Sequence, residues 1–202
     1  MSTPPPTATA SPAALLRRGR LLEGATLAWN VVGIVVLAFA AIGARSVALA
    51  GFGLDSLVEI GASTVVLWEL SGTGEHRQRL ALRLIGGAFV LLALYLVVQT
   101  AVVLLADLRP HHSPAGIGWT AVTAAVMFAL AAGKRSVGKR LNNPVLITEG
   151  RVTVIDGLLA CAVLVGLALN ALFGWWWADP VAGLVIAYYA VREAWAVFAE
   201  RE

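Results

Sequence analysis

The chain has 202 residues, of which 59% are hydrophobic and 13% charged, where soluble domains carry about a quarter charged. With its 20 glycines counted, roughly 69% of the chain is apolar, against about 45–50% in soluble domains on the same count. A chain of this size has too little interior to hide so much apolar surface, which excludes a soluble enzyme. A net charge of +3, with bases scattered between apolar runs, excludes a nucleic-acid surface.

Residues 1–14 are rich in Pro, Thr, Ala and Ser and lack the charged start of a signal peptide; residues 1–20 read as a disordered cytoplasmic tail. A spanning helix needs about 20 apolar residues at 1.5 Å each. Six runs qualify: 21–42, 46–70, 80–106, 117–132, 145–173 and 180–198. The breaks between them carry turn chemistry, at Gly43-Ala44-Arg45, Ser71-Gly72-Thr73-Gly74, residues 110–114 and Asn142-Asn143-Pro144. The expected fold class is all-α, a polytopic membrane protein with six transmembrane helices.

Orientation follows from the basic residues. Arg17, Arg18, Arg20, Arg77, Arg79, Arg83, Lys134, Arg135, Lys139 and Arg140 fall on one side; Arg45 and Arg109 fall on the other. Both termini are therefore expected in the cytoplasm. Trp175-Trp176-Trp177 then sits at the outer interface as an aromatic anchor. Asp179-Pro180 reads as an N-cap and first-turn proline of the sixth span. The single cysteine, Cys161, lies in an apolar helix pattern and behaves as a small hydrophobe, which excludes an intramolecular disulfide.

Acidic side chains deep in a bilayer cost at least about 2.5–3.5 kcal/mol each and mark sites or pathways by default. The second run contains Asp55 and Glu59, an i,i+4 pair on one helical face. The fifth contains Asp156 and, seven residues earlier, Glu149, close to two turns away and so on a shared face. Asp55 lies about 13–14 Å from the outer end of its run, and Asp156 about 16–17 Å from the inner end of its own. In a core about 30 Å thick the two meet near the midplane. Glu59 and Glu149 lie successively closer to the cytoplasm.

With Lys134 assigned to the cytoplasmic connection, no transmembrane base stands ready to neutralise these acids, except Arg151 near the inner end. A bound divalent cation is the economical solution, because carboxylates suit hard and borderline metals. Protons compete with the metal for the same oxygens, which is the physical basis of proton-coupled antiport. The other reading is that the acids only hydrogen-bond between helices. Asn30, Gln99 and Asn170 read as hydrogen-bonding across helices, and His111-His112 as a solvated outer loop pair.

Asp55-Ser56-Leu57-Val58-Glu59-Ile60-Gly61-Ala62-Ser63 resembles the second helix of the cation diffusion facilitators, metal/proton antiporters. Their second helix carries an acid or His, three residues, then an acid, and their fifth carries His, three residues, then Asp. Asp156 matches that Asp, and residues 174–199, with Trp177-Ala178-Asp179-Pro180, are similar to the family's entry into helix six. The resemblance implies that residues 21–202 form one six-helix cation transporter domain with Asp55, Glu59 and Asp156 as metal ligands. It also implies that the chain needs no prosthetic group and that its partners are lipid, a divalent cation, protons and a second copy of itself. It implies a plasma (inner) membrane location.

Two departures matter. The fifth-helix His position is Val152, so Glu149 is the candidate fourth ligand and Thr153 a minor one. An all-oxygen set shifts preference away from tight tetrahedral zinc and leaves Zn, Mn, Fe, Co and Cd open. Members usually continue into a soluble metal-binding domain; this chain is expected to be the membrane domain only, with dimerisation through its helices. Three other readings stand beside transport of metal. They are a non-transporting metal-binding or regulatory membrane protein, an exporter of organic cations with an aromatic cavity near Asp55, and a membrane enzyme. The last is disfavoured because no nucleophile–base pair can be assembled beside the acids.

Overall fold

The structure, a computed structural model, describes residues 11–44, 46–72, 74–106, 111 and 113–178 and isolated positions from 181 to 195, without the side chains of residues 47, 48, 51 and 58. Every regular element among the described residues is helical: α1 (Pro12–Ala44), α2 (Val47–Leu70), α3 (Glu75–Leu105), α4 (Pro114–Leu141) and α5 (Pro144–Phe173). Helices α1, α3, α4 and α5 are each long and apolar enough to cross a membrane. Helix α2 has 24 residues and carries the acids. The sixth expected run is described only at scattered positions, all helical; the Asp179-Pro180 cap, Arg45, Arg109 and His112 lie outside the described residues.

The helix starts and stops follow the turn chemistry. Ser46 caps α2 by accepting from the Leu49 N–H at 3.1 Å, and Ser113 caps α4 by accepting from Gly116 at 3.1 Å. Asn142 ends α4 in the left-handed region at φ 51°, a conformation Asn tolerates better than other non-glycine residues. Asn143 then does two things. Its Oδ1 accepts from the Leu146 N–H at 2.9 Å to cap α5, while its Nδ2 donates to the Glu69 carboxylate at 3.2 Å. The α4–α5 turn is thereby clasped to the last turn of α2.

Two boundaries differ from expectation. Helix α1 begins at Pro12, so residues 12–20 of the expected disordered tail are helical. Leu15 and Gly19 are buried there, Gly19 against Leu146, Leu70 and Val137, and Arg20 donates to the Leu70 carbonyl at 2.8 Å. Tertiary packing extends the helix past the apolar run. Helix α4 continues to Leu141, well beyond the expected stop at 132, and its buried stripe runs on through Ala131, Lys134, Val137 and Gly138.

Helices α1 and α2 pair, as do α4 and α5; α1 also packs on α4 and α2 on α5, with α3 outside against α2 and α5. The α4–α5 pair is close because it is glycine-lined. A Cβ on Gly138 would meet the Ile147 backbone nitrogen at 3.0 Å, and one on Gly150 the Arg135 backbone nitrogen at 3.2 Å. The exterior is apolar, with Phe39 76% and Leu105 88% exposed, whereas Glu23, Asp55, Glu59, Lys134, Glu149 and Asp156 are buried. That inversion suits a lipid surround and makes the chain an integral membrane protein.

Candidate cation site

The polar interior lies between α1, α2, α4 and α5. On α2, the four-residue spacing turns both Asp55 and Glu59 inward, and both are buried. Asp156 of α5 lies close enough to Asp55 and Glu59 for their carboxyl groups to interact. The three acids expected to form the site are thus neighbours. Asp55 Oδ1, Glu59 Oε2 and Asp156 Oδ2 are buried with no hydrogen-bond partner among the described residues. Buried orphan oxygens of this kind are rare, and they suit a ligand that accepts lone pairs. Among the described residues, no three Asp, Glu, His or Cys side chains stand as a group that could hold a metal ion as they are placed.

Glu149 is also buried, but Lys134 claims it. The Lys134 ammonium lies 3.1 Å from Glu149 Oε1 and 3.0 Å from Glu23 Oε2, with no exposed side-chain surface on any of the three. This corrects two sequence expectations. Lys134 is not a cytoplasmic connection charge, and the interior does hold a base that neutralises acids. Glu23, on the inward stripe of α1, joins the cluster without having been a candidate.

Thr153 joins the two groups of side chains. Its hydroxyl accepts from the Lys134 ammonium at 3.0 Å and lies 3.2 Å from Glu59 Oε1 and 3.0 Å from the Glu149 carbonyl. The minor-ligand position is therefore a hydrogen-bonded bridge. Val152, at the position of the missing His, is buried.

Other expectations fall differently. Asn30 donates to the Thr26 carbonyl of its own helix at 3.0 Å, not across helices. His111 is exposed, and its backbone N–H donates to the Ala44 carbonyl at 3.0 Å, tying the segment before α4 to the end of α1. Trp29 and Trp119 stack face to face with centroids 5.0 Å apart, and Trp29 Nε1 donates to Thr123 Oγ1 at 3.3 Å. Trp175 and Trp177 stack at 5.6 Å, and each is 47% exposed.

Comparison with known proteins bears on this arrangement. Residues 25–201 match the family described as the cation efflux transmembrane domain. The chain is also similar to Transmembrane protein 163 of Xenopus laevis, at 25% identity over 153 residues, covering 70% of this chain and 54% of that protein. It spans about half the length of that relative. The match over nearly the whole described bundle, with the acids of α2 and α5 inside it, means that this chain belongs to the cation efflux family.

Proposed function

We propose that the protein is a secondary transporter that moves a divalent metal cation across the membrane in exchange for protons. The observation that carries this reading is the meeting of Asp55, Glu59 and Asp156 in the bundle interior, each with an orphaned oxygen. Three such carboxylates are costly in a membrane domain unless a cation or protons compensate them. Binding of one dication by all three would require their oxygens to converge from the arrangement described. Glu149, nearer the α4–α5 turn, receives the cation on the way and completes the oxygen set. The cargo is a hard or borderline dication among Zn, Mn, Fe, Co and Cd.

In this reading the chain crosses six times with both termini in the cytoplasm of a plasma (inner) membrane, and pairs with a second copy through its helices. Protons taken up by the same carboxylates release the metal, so that the site carries one cargo outward and the other inward. The family match supports cation movement, since the matched domain is one of cation efflux.

The test is metal uptake into proteoliposomes holding the purified chain under a pH gradient, with Zn, Mn, Fe, Co, Cd and Mg compared. Gradient-dependent movement of one or more of these, lost in Asp156→Ala, is the expected result. Undiminished transport by that variant overturns the site. Metal bound at equilibrium but never moved supports a regulatory role instead.

A further inference from the structure

Lys134 is the only base among the buried residues described, and three buried carboxyl groups, those of Glu149, Glu23 and Glu59, act on it. An ammonium has three donors. Here the ammonium donates to Glu149 Oε1 and to the Thr153 hydroxyl, and Glu23 Oε2 lies 3.0 Å away as an ion-pair partner. A hydroxyl that accepts from Lys134 keeps one proton to give, shared between the Glu149 carbonyl at 3.0 Å and Glu59 Oε1 at 3.2 Å. The ammonium is therefore within about 6 Å of a carboxylate of the cation site, one hydroxyl removed.

A buried ion pair is seldom more stabilising than apolar packing of the same volume. Stability alone therefore does not account for a lysine at this place in the bundle; the position of its charge does. We propose that Lys134 is a resident counter-cation that competes electrostatically with the transported dication for Glu59, and so sets the affinity of the site. This rests on the reading of Asp55, Glu59 and Asp156 as the cargo ligands. A dication on Glu59 and the ammonium of Lys134 repel each other, so the ammonium draws back onto Glu23 when cargo arrives. When cargo leaves, Lys134 compensates Glu59 through Thr153. Both effects weaken retention and favour release. At about 6 Å and an effective dielectric of about 20, the repulsion between a unit charge and a dication is worth up to about ten-thousandfold in affinity. Relaxation of the neighbours brings the expected effect to at least about tenfold.

The chain's two lysines, Lys134 and Lys139, make a direct test practical. Lys139 is exposed in the last turn of α4, so Lys139→Arg leaves Lys134 as the sole lysine without disturbing the interior. The purified full chain with this change is labelled with 13C at the lysine ε carbon and titrated with Zn2+, while calorimetry follows binding. The expected result is a shift of the Lys134 resonance that saturates with the calorimetric Kd, both being lost in Asp156→Asn. Lys134→Gln, which removes the charge and keeps an N–H donor, is expected to bind Zn2+ at least about tenfold more tightly, and Lys134→Arg within about threefold of the parent. Zn2+ binding that depends on Asp156 but leaves the lysine resonance unmoved overturns the competition and leaves the site intact. An absence of Zn2+, Mn2+, Fe2+, Co2+ and Cd2+ binding by the folded parent overturns the site reading, and the competition with it. If Lys134→Gln does not fold, the resonance of the parent decides the matter alone.

Discussion

Lys134 of α4 and Glu23 of α1 face each other at 3.0 Å, with no exposed side-chain surface on either. This contact joins the α1–α2 pair to the α4–α5 pair from inside, together with the Trp29–Thr123 and Thr153–Glu59 hydrogen bonds. Lys134→Met leaves Glu23 and Glu149 as unpaired buried acids. Breaking one side of a buried pair costs about 3–5 kcal/mol. Thermal unfolding in detergent, followed by tryptophan fluorescence, is expected to show that loss as a lower midpoint. Adding Glu23→Gln and Glu149→Gln to the same variant is expected to recover most of it.

Asn143 anchors the α4–α5 turn to the end of α2. Asn143→Ala removes both the α5 cap and the clasp on Glu69. A cap of this kind is worth about 1 kcal/mol and a hydrogen bond to a charged group about 1.5–3 kcal/mol, the second discounted here because the pair is only partly buried. A loss of about 1–2 kcal/mol in the same unfolding measurement is expected. Asn143→Asp keeps the cap oxygen but not the donor to Glu69, and should therefore not rescue the full amount.

The close α4–α5 approach predicts a contrast between glycines. At Gly138 an added side chain meets backbone of α5 at 3.0 Å and 3.2 Å, so helix axes must separate. Gly138→Val is expected to cost about 1–3 kcal/mol, as overpacking does. At Gly24 a Cβ meets nothing within 4 Å. Gly24→Ala is expected to leave stability unchanged or raise it by up to about 1 kcal/mol.

Acid should weaken metal binding. A carboxyl that takes a proton loses the charge that holds the cation, so proton and metal binding are mutually exclusive at Asp55, Glu59 and Asp156. Zn2+ affinity measured by calorimetry is expected to fall as pH falls from 8 to 6. Binding heats compared in buffers of different ionisation enthalpy should show protons released as metal binds. An affinity that rises on acidification contradicts a carboxylate site.

Most of the bundle is legible from apolar length and turn residues. Helices α2 and α5 match the runs 46–70 and 145–173 to within a residue or so, because Ser46, Ser71, Asn143 and Gly174 stop them chemically. The facing acids follow from i,i+4 spacing and depth. Lys134 did not follow, because the apolar run stops at 132 and three other bases lie close by. The helical period still marks it: Thr120, Thr123, Ala124, Met127, Ala131, Lys134 and Val137 form one buried stripe, which Arg135, Lys139 and Arg140 leave. Glu23 is marked in the same way by Gly19, Thr26, Asn30 and Gly33 on the inward face of α1. A stripe of small and polar residues inside an apolar run is the signal, and mean hydropathy averages it away.

The most direct test of exchange through the α2–α5 carboxylates is to follow both cargoes at once. Proteoliposomes holding the purified chain, loaded with a zinc-sensitive dye and a pH-sensitive dye, are given Zn2+ on the outside. The account predicts that Zn2+ entry and loss of internal protons rise together, at a fixed ratio, and that both disappear in Asp156→Asn. Zn2+ entry with no proton movement, or movement of both that survives Asp156→Asn in a folded protein, contradicts it.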